Sequence, residues 1–291
     1  MPAGARDASP RPPMATEPIA GNARPGRAHA GRNDARRVAA ALVAFLVLPA
    51  WALLVLWSAS PWRGYVDHGG WGDSAALAPL CRAVPGGGIL VPALATAAAW
   101  LLMIAAMMVP TVLPLVATFR RLVAGRPDAG RLVAAVLSGY VAAWFAFGLA
   151  AHAADAGIRA AAAASPWLVE HAWAVGAGVL ALAGAFQFSA LKYRCLDRCR
   201  TPFGFLNSHW HGVSPRREAL GLGLAHGAFC VGCCWALMLV TFVVGMGNPG
   251  WMLVLAAAMA AEKNLPIGAR LRTPLGLGLL AWAAALALAH A

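Results

Sequence analysis

The sequence predicts an all-α protein: a polytopic transmembrane helix bundle of about seven spans, six being possible, with its N-terminus inside. Three observations predict it. Of the 291 residues, 60% are hydrophobic and 12% charged, against roughly 45–50% and 25% in an ordinary soluble domain. That apolar excess cannot all be hidden inside a water-soluble globule of this size. The apolar residues also come in runs close to the roughly 20 that a helix needs to cross a bilayer. Finally, the 23 Lys and Arg of a chain with formal net charge +12 fall almost entirely on one side of those runs. An ordinary cytosolic enzyme and a disulfide-rich secreted module are both excluded.

The elements follow in order. Residues 1–37 are rich in Pro, Gly, Ala and Arg and show no apolar period. Such a segment buries too little surface to offset its ordering entropy, so it reads as a disordered, basic, cytoplasmic tail. It is not a signal peptide, because the first apolar run starts too far from Met1. Residues 38–291 read as the transmembrane helical domain. The spans expected are 38–57, 89–119, 132–153, 172–191 and 219–246, then 250–265 and 274–290. Pro110 and Pro114 are expected to kink the lower end of the second. The sixth is short and contains Glu262 and Lys263; the turn Gly247-Asn248-Pro249-Gly250 precedes it.

Orientation follows from the basic residues, which favour the cytoplasmic side. With the N-terminus inside, seven spans place 20 of the 23 Lys and Arg on inner segments and leave only Arg63, Arg82 and Arg159 outside. The positive charge is thus a topology signal, with some attraction to anionic inner-leaflet lipid. A nucleic-acid partner is not expected, since no basic surface interleaved with aromatics is visible.

Five of the six cysteines form two groups. Cys195 and Cys199 lie where the fourth span meets the inner face. Cys230, Cys233 and Cys234 lie within the fifth, and His226 precedes Cys230 by one helical turn. His226, Cys230, Cys233 and Cys234 stand at i, i+4, i+7 and i+8, which places them on one helix face. Thiolates are soft donors suited to Cu(I), Zn(II) or iron–sulfur clusters, and thioethers shift the preference toward Cu(I). Met107, Met108 and Met238 are therefore candidate path residues, although a buried methionine is ordinarily a gap-filler. Ionisable groups within spans are costly and mark function by default. Glu262, Lys263 and Lys192, with the amide of Gln187, are the candidates here. Their plain alternatives are an interhelical ion pair or anchoring at the interface. The glycines Gly221, Gly223, Gly227 and Gly232 allow a neighbouring helix to come close.

Ala105-Ala106-Met107-Met108-Val109-Pro110, Gln187 with Leu191-Lys192, CLDRCRTP from Cys195, GAFCVGCCWALM from Gly227, Trp251-Met252 and Glu262-Lys263 together resemble one family. It is the bacterial domain-of-unknown-function family described as predicted metal-binding integral membrane proteins. The resemblance runs from about residue 90 to 285 and leaves out the Arg-rich N-terminus. It implies a multi-pass protein of the bacterial inner membrane and suggests metal binding.

Three functions remain open on this sequence. The first is a soft-metal protein, for Cu(I) or alternatively Zn or another transition metal, that handles the ion or delivers it to a protein partner. Its ligands would be His226, Cys230, Cys233, Cys234, Cys195 and Cys199. The second is a membrane scaffold or assembly subunit whose cysteines only pack. The third is a membrane thiol–disulfide oxidoreductase using the Cys230–Cys233 spacing. No phosphate-binding glycine loop, Ser/His/Asp order or paired-carboxylate site is present, so no catalytic residue is named and an enzyme is the lesser expectation. The sequence leaves the oligomeric state open.

Overall fold

A computed structural model of the chain describes residues 33, 36–60, 90–245 and 247–290, and among them every regular element is helical. Helix α1 is Arg36–Ser58. Helix α2 runs over Leu90–Met103, passes through a π-helical turn at Ile104–Met108 and continues as Val109–Leu122. Then come α3 (Ala129–Ala163), the short α4 (Pro166–Glu170), α5 (Ala172–Phe186), α6 (Ala190–Arg200), α7 (Pro202–His209), α8 (Pro215–Val244), α9 (Pro249–Asn264) and α10 (Gly268–Leu288). Nearly all of the tail expected over 1–37 lies outside the described residues, as do Cys81 and Met246.

Among the described residues, five helices are long and apolar enough to cross a membrane: α1, α2, α3, α8 and α10. A sixth candidate is α5 with α6, bent by 63° at the break between them. The continuous span expected over 172–191 is therefore two helices. The reason is local. Ser189 is extended, and its hydroxyl accepts from the backbone N–H of Lys192 at 3.1 Å, which starts a new helix. The span expected over 250–265 is α9, whose 16 residues rise only about 24 Å, short of a hydrocarbon core of roughly 30 Å.

Helix α8 is the central element and packs most extensively along α3. Glycines make this possible. A Cβ on Gly223 of α8 would strike the backbone of Val136 in α3, and one on Gly139 of α3 would strike the backbone of α8 at Leu220. Such close backbone approach is a usual mode of helix association in lipid. Gly245, at φ +87°, then ends α8 in a conformation that a side chain would resist.

The expected kink in α2 takes the form of the π-helical turn ahead of Pro110. Proline has no N–H to give the carbonyl four residues back, which is that of Ala106. The indole Nε1–H of Trp51 in α1 donates to this carbonyl instead, at 3.1 Å. Between α2 and α3, the hydrogen-bonded pair Arg126–Asp128, at 2.9 Å, holds the Asp128 carboxyl below its usual range. Asn248 caps α9 by accepting from the N–H groups of Gly250 and Trp251, with Pro249 in the first turn. The core draws on helices from α1 to α10, and among α2, α3, α6, α8 and α9 it contains polar groups as well as aliphatic ones.

Candidate functional site

Helix α8 buries all four residues expected on its functional face: His226, Cys230, Cys233 and Cys234. Helix α6 brings its own thiols to meet them. Cys195 is buried over Gly232, where a Cβ would come within 2.7 Å of its sulfur. One turn further on, the sulfur of Cys199 lies 4.0 Å from that of Cys233. All five cysteines are free. The thiols of Cys233 and Cys234 donate back to the carbonyl of Cys230, at 3.1 and 2.9 Å. This commits their S–H bonds to their own helix backbone.

The most unusual contact comes from α9. The Lys263 ammonium is buried and donates to the sulfur of Cys230 at 2.7 Å, with Cys234 at 3.6 Å and the Thr111 hydroxyl at 3.3 Å. An ammonium has three donors and no acceptor, so these partners receive. The Tyr140 hydroxyl lies 2.9 Å from the same Cys230 sulfur and donates to the carbonyl of Met108 at 3.0 Å. Thr111 also donates to that carbonyl, at 2.8 Å. Cys230 is thus surrounded by groups from α2, α3 and α9. Lys263 has no carboxylate partner among the described residues.

Glu262, next in sequence, faces the other way. Its carboxylate pairs with Lys192 of α6 at 2.7 Å, and the two are 2% and 0% exposed. This is the interhelical ion pair weighed for these residues. Its other oxygen, Oε1, is buried without a hydrogen-bond partner. Just beyond, Arg200 of α6 donates to the carbonyls of Glu262, Leu265 and Pro266. It satisfies the end of α9, where the last turn has no intrahelical partners. Gln187, at the α5–α6 break, is fully buried with neither amide atom bonded, an uncommon state for a core amide.

The remaining expected residues are in place but more loosely joined. The His226 ring lies between Tyr140 (centroids 6.1 Å apart) and Phe205 (5.3 Å). Its Nδ1 is buried without a partner, and no hydrogen bond links it to a thiol among the described residues. Met107 and Met108 are buried in the π-helical turn, and Met238 is buried on α8. Phe205 also stacks on His209, at 4.3 Å.

Sequence reasoning passed over Tyr140, Thr111 and Arg200. Hydroxyls in a long apolar helix have no period that marks them. The available signal was chemical: Tyr140 is one of only three tyrosines, and a hydroxyl at depth must find a partner.

What the arrangement can do follows from its donors. Among the described residues no group of three or more His, Cys, Asp and Glu is gathered to hold a metal ion. A tetrahedral zinc centre, which takes four such ligands, is therefore not preassembled. Two sulfurs, however, are enough for linear Cu(I), and Cys230 and Cys234 lie within 3.6 Å of one point, Nζ of Lys263. The donors are sulfur, and the only carboxylate described at the site is already taken by Lys192. The set fits a soft cation.

A family model described as PpoB2, copper chaperone, matches residues 97–286. This stretch begins inside α2 and carries every thiol described here, and it leaves out the N-terminal tail and α1. Neither a curated protein nor a solved structure matches the chain.

Proposed function

The chain belongs to the PpoB2 copper chaperone family, and on that premise we propose that it is an integral inner-membrane protein that takes Cu(I) onto its buried thiols and passes it to a protein partner. The observation that carries this reading is the meeting of free thiols from two helices in an apolar interior, with Cys199 and Cys233 4.0 Å apart and Cys230 and Cys234 sharing one cation. Soft sulfur donors prefer Cu(I), and thiols on the cytoplasmic side stay reduced. The ligands are drawn from Cys195, Cys199, Cys230, Cys233, Cys234 and His226. Met107, Met108 and Met238 line the approach, with Gln187, Lys192, Glu262 and Lys263 around it. Copper is cargo here, and no reaction is assigned.

The proposed topology has the N-terminus and the basic tail, 1–37, in the cytoplasm. The bundle over 38–291 makes about seven crossings, or six should α9 enter without crossing, with α5 and α9 as its short members. The support is the placement of 20 of 23 basic residues on one side.

The test is metal analysis of the full chain, purified in detergent under reductant and loaded with Cu(I). Wild type retains copper, whereas Cys230→Ser/Cys233→Ser loses it with helical content unchanged. Equal copper in the two proteins would leave the packing-cysteine scaffold as the better reading.

A further inference from the structure

Lys263 is a buried cation placed against two sulfurs, and no carboxylate shares it among the described residues. Its neighbour Glu262 is neutralised by Lys192 on the other flank of α9. The charge of Lys263 is therefore free to be matched by whatever forms at Cys230 and Cys234. We infer that Lys263 is the specificity-determining residue of the thiol site, selecting a monovalent soft ion over a divalent one by fixing a single positive charge beside the two sulfurs. The inference rests on the proposed reading that these thiols bind a metal.

The charges decide the matter. When Cu(I) binds Cys230 and Cys234, both thiol protons leave, and the product, one +1 ion on two thiolates, carries −1. The ammonium of Lys263, 2.7 and 3.6 Å from the sulfurs, brings the buried total to zero. A divalent ion such as Zn(II) on the same two thiolates is already neutral. With Lys263 beside it, the site would hold an uncompensated +1. Burying an unpaired charge is costly where no water can reach it. Beside two neutral thiols the ammonium is already unpaired, so Cu(I) binding removes that cost while Zn(II) binding leaves it in place, and the lysine favours the monovalent ion. The neutral hydroxyls nearby, those of Tyr140 and Thr111, lie 2.9 and 3.9 Å from the Cys230 sulfur and carry no charge that would alter this balance. Copper and silver in the +1 state are the class of ion that fits.

The experiment compares full-chain wild type with Lys263→Met and Lys263→Arg in detergent under reductant. Cu(I) and Zn(II) affinities are each measured by competition against a chelator of known strength. Lys263→Met should lower the Cu(I)-to-Zn(II) affinity ratio by about tenfold or more, and Lys263→Arg, which keeps the charge, should retain it. A change of packing alone would weaken both metals together and leave the ratio where it was, which would overturn the inference. Should Lys263→Met not fold, Lys263→Gln carries the same test, because it can still donate to the sulfurs without the charge. A wild-type protein that binds no Cu(I) would overturn the proposed function itself. A wild type that binds Cu(I), with an unchanged ratio in the neutral variants, would overturn only the role of Lys263.

Discussion

The ammonium of Lys263 lies 2.7 Å from the sulfur of Cys230, both buried between α8 and α9. The two residues stand 33 positions apart and on different helices, so this contact ties the thiol-bearing helix to its neighbour. A serine at position 230 could still accept from Lys263 while removing the sulfur. Cys230→Ser is therefore expected to keep the fold and to weaken Cu(I) binding by more than the roughly 10- to 100-fold that an outer-shell change costs. A competition titration under reductant measures it, with circular dichroism as the control for folding.

Glu262→Gln strands Lys192, which is wholly buried. Removing one partner of a buried pair costs about 3–5 kcal/mol. The thermal midpoint in detergent should fall sharply. The double change Lys192→Met/Glu262→Leu should recover most of the loss, since no charge is then left unpaired. A Glu262→Gln protein as stable as wild type would mean that the pair contributes nothing.

Tyr140→Phe keeps the ring and deletes the hydroxyl that bonds the Met108 carbonyl and the Cys230 sulfur. The expected loss is about 1–2 kcal/mol of stability, moderated because Thr111 still donates to the same carbonyl. Cu(I) affinity should fall about tenfold. Denaturant unfolding and the same titration report the two effects separately.

Two glycines of α8 should respond differently to alanine. At Gly223 a Cβ meets the backbone of α3, which cannot rotate away, and at Gly232 it meets only the side chain of Cys195. Gly223→Ala should cost about 3 kcal/mol or more and Gly232→Ala about 1 kcal/mol. Gly232→Ala should nonetheless alter the reactivity of Cys195 toward a thiol reagent, which mass spectrometry can follow.

Local patterns in the sequence carried the helical class, the long apolar elements and the burial of His226, Cys230, Cys233 and Cys234. Their spacing repeats with the turn of a helix. Glu262, Lys263, Lys192 and Gln187 stood out because charge and amide groups are costly at depth. Their partners were not readable, because Lys192 with Glu262 and Lys263 with Cys230 are long-range pairings chosen by packing. The break between α5 and α6 was missed for a related reason. Residues 172–191 are apolar but for Gln187 and Ser189, and it is the side chain of Ser189, capping at Lys192, that divides them. Helix α3 likewise continues past the expected end at 153 to Ala163. Asp155 and Arg159, spaced i,i+4, pair at 2.8 Å on that extension, which allows a charged turn to prolong an apolar helix.

Helix α9 offers its neighbours two consecutive residues whose directions differ by about 100° around the axis. Glu262 reaches α6 and Lys263 reaches α8. Each contact blocks the roll that would relax the other, so α9 is keyed against rotation, as a shaft is by a pin on either side. Arg200 of α6 adds a hold along the axis, donating to the carbonyl of Glu262 in the last turn of α9 and to those of Leu265 and Pro266 just beyond it. Parting α9 from α6 therefore breaks the ion pair and the Arg200 contacts, whereas parting it from α8 breaks those of Lys263.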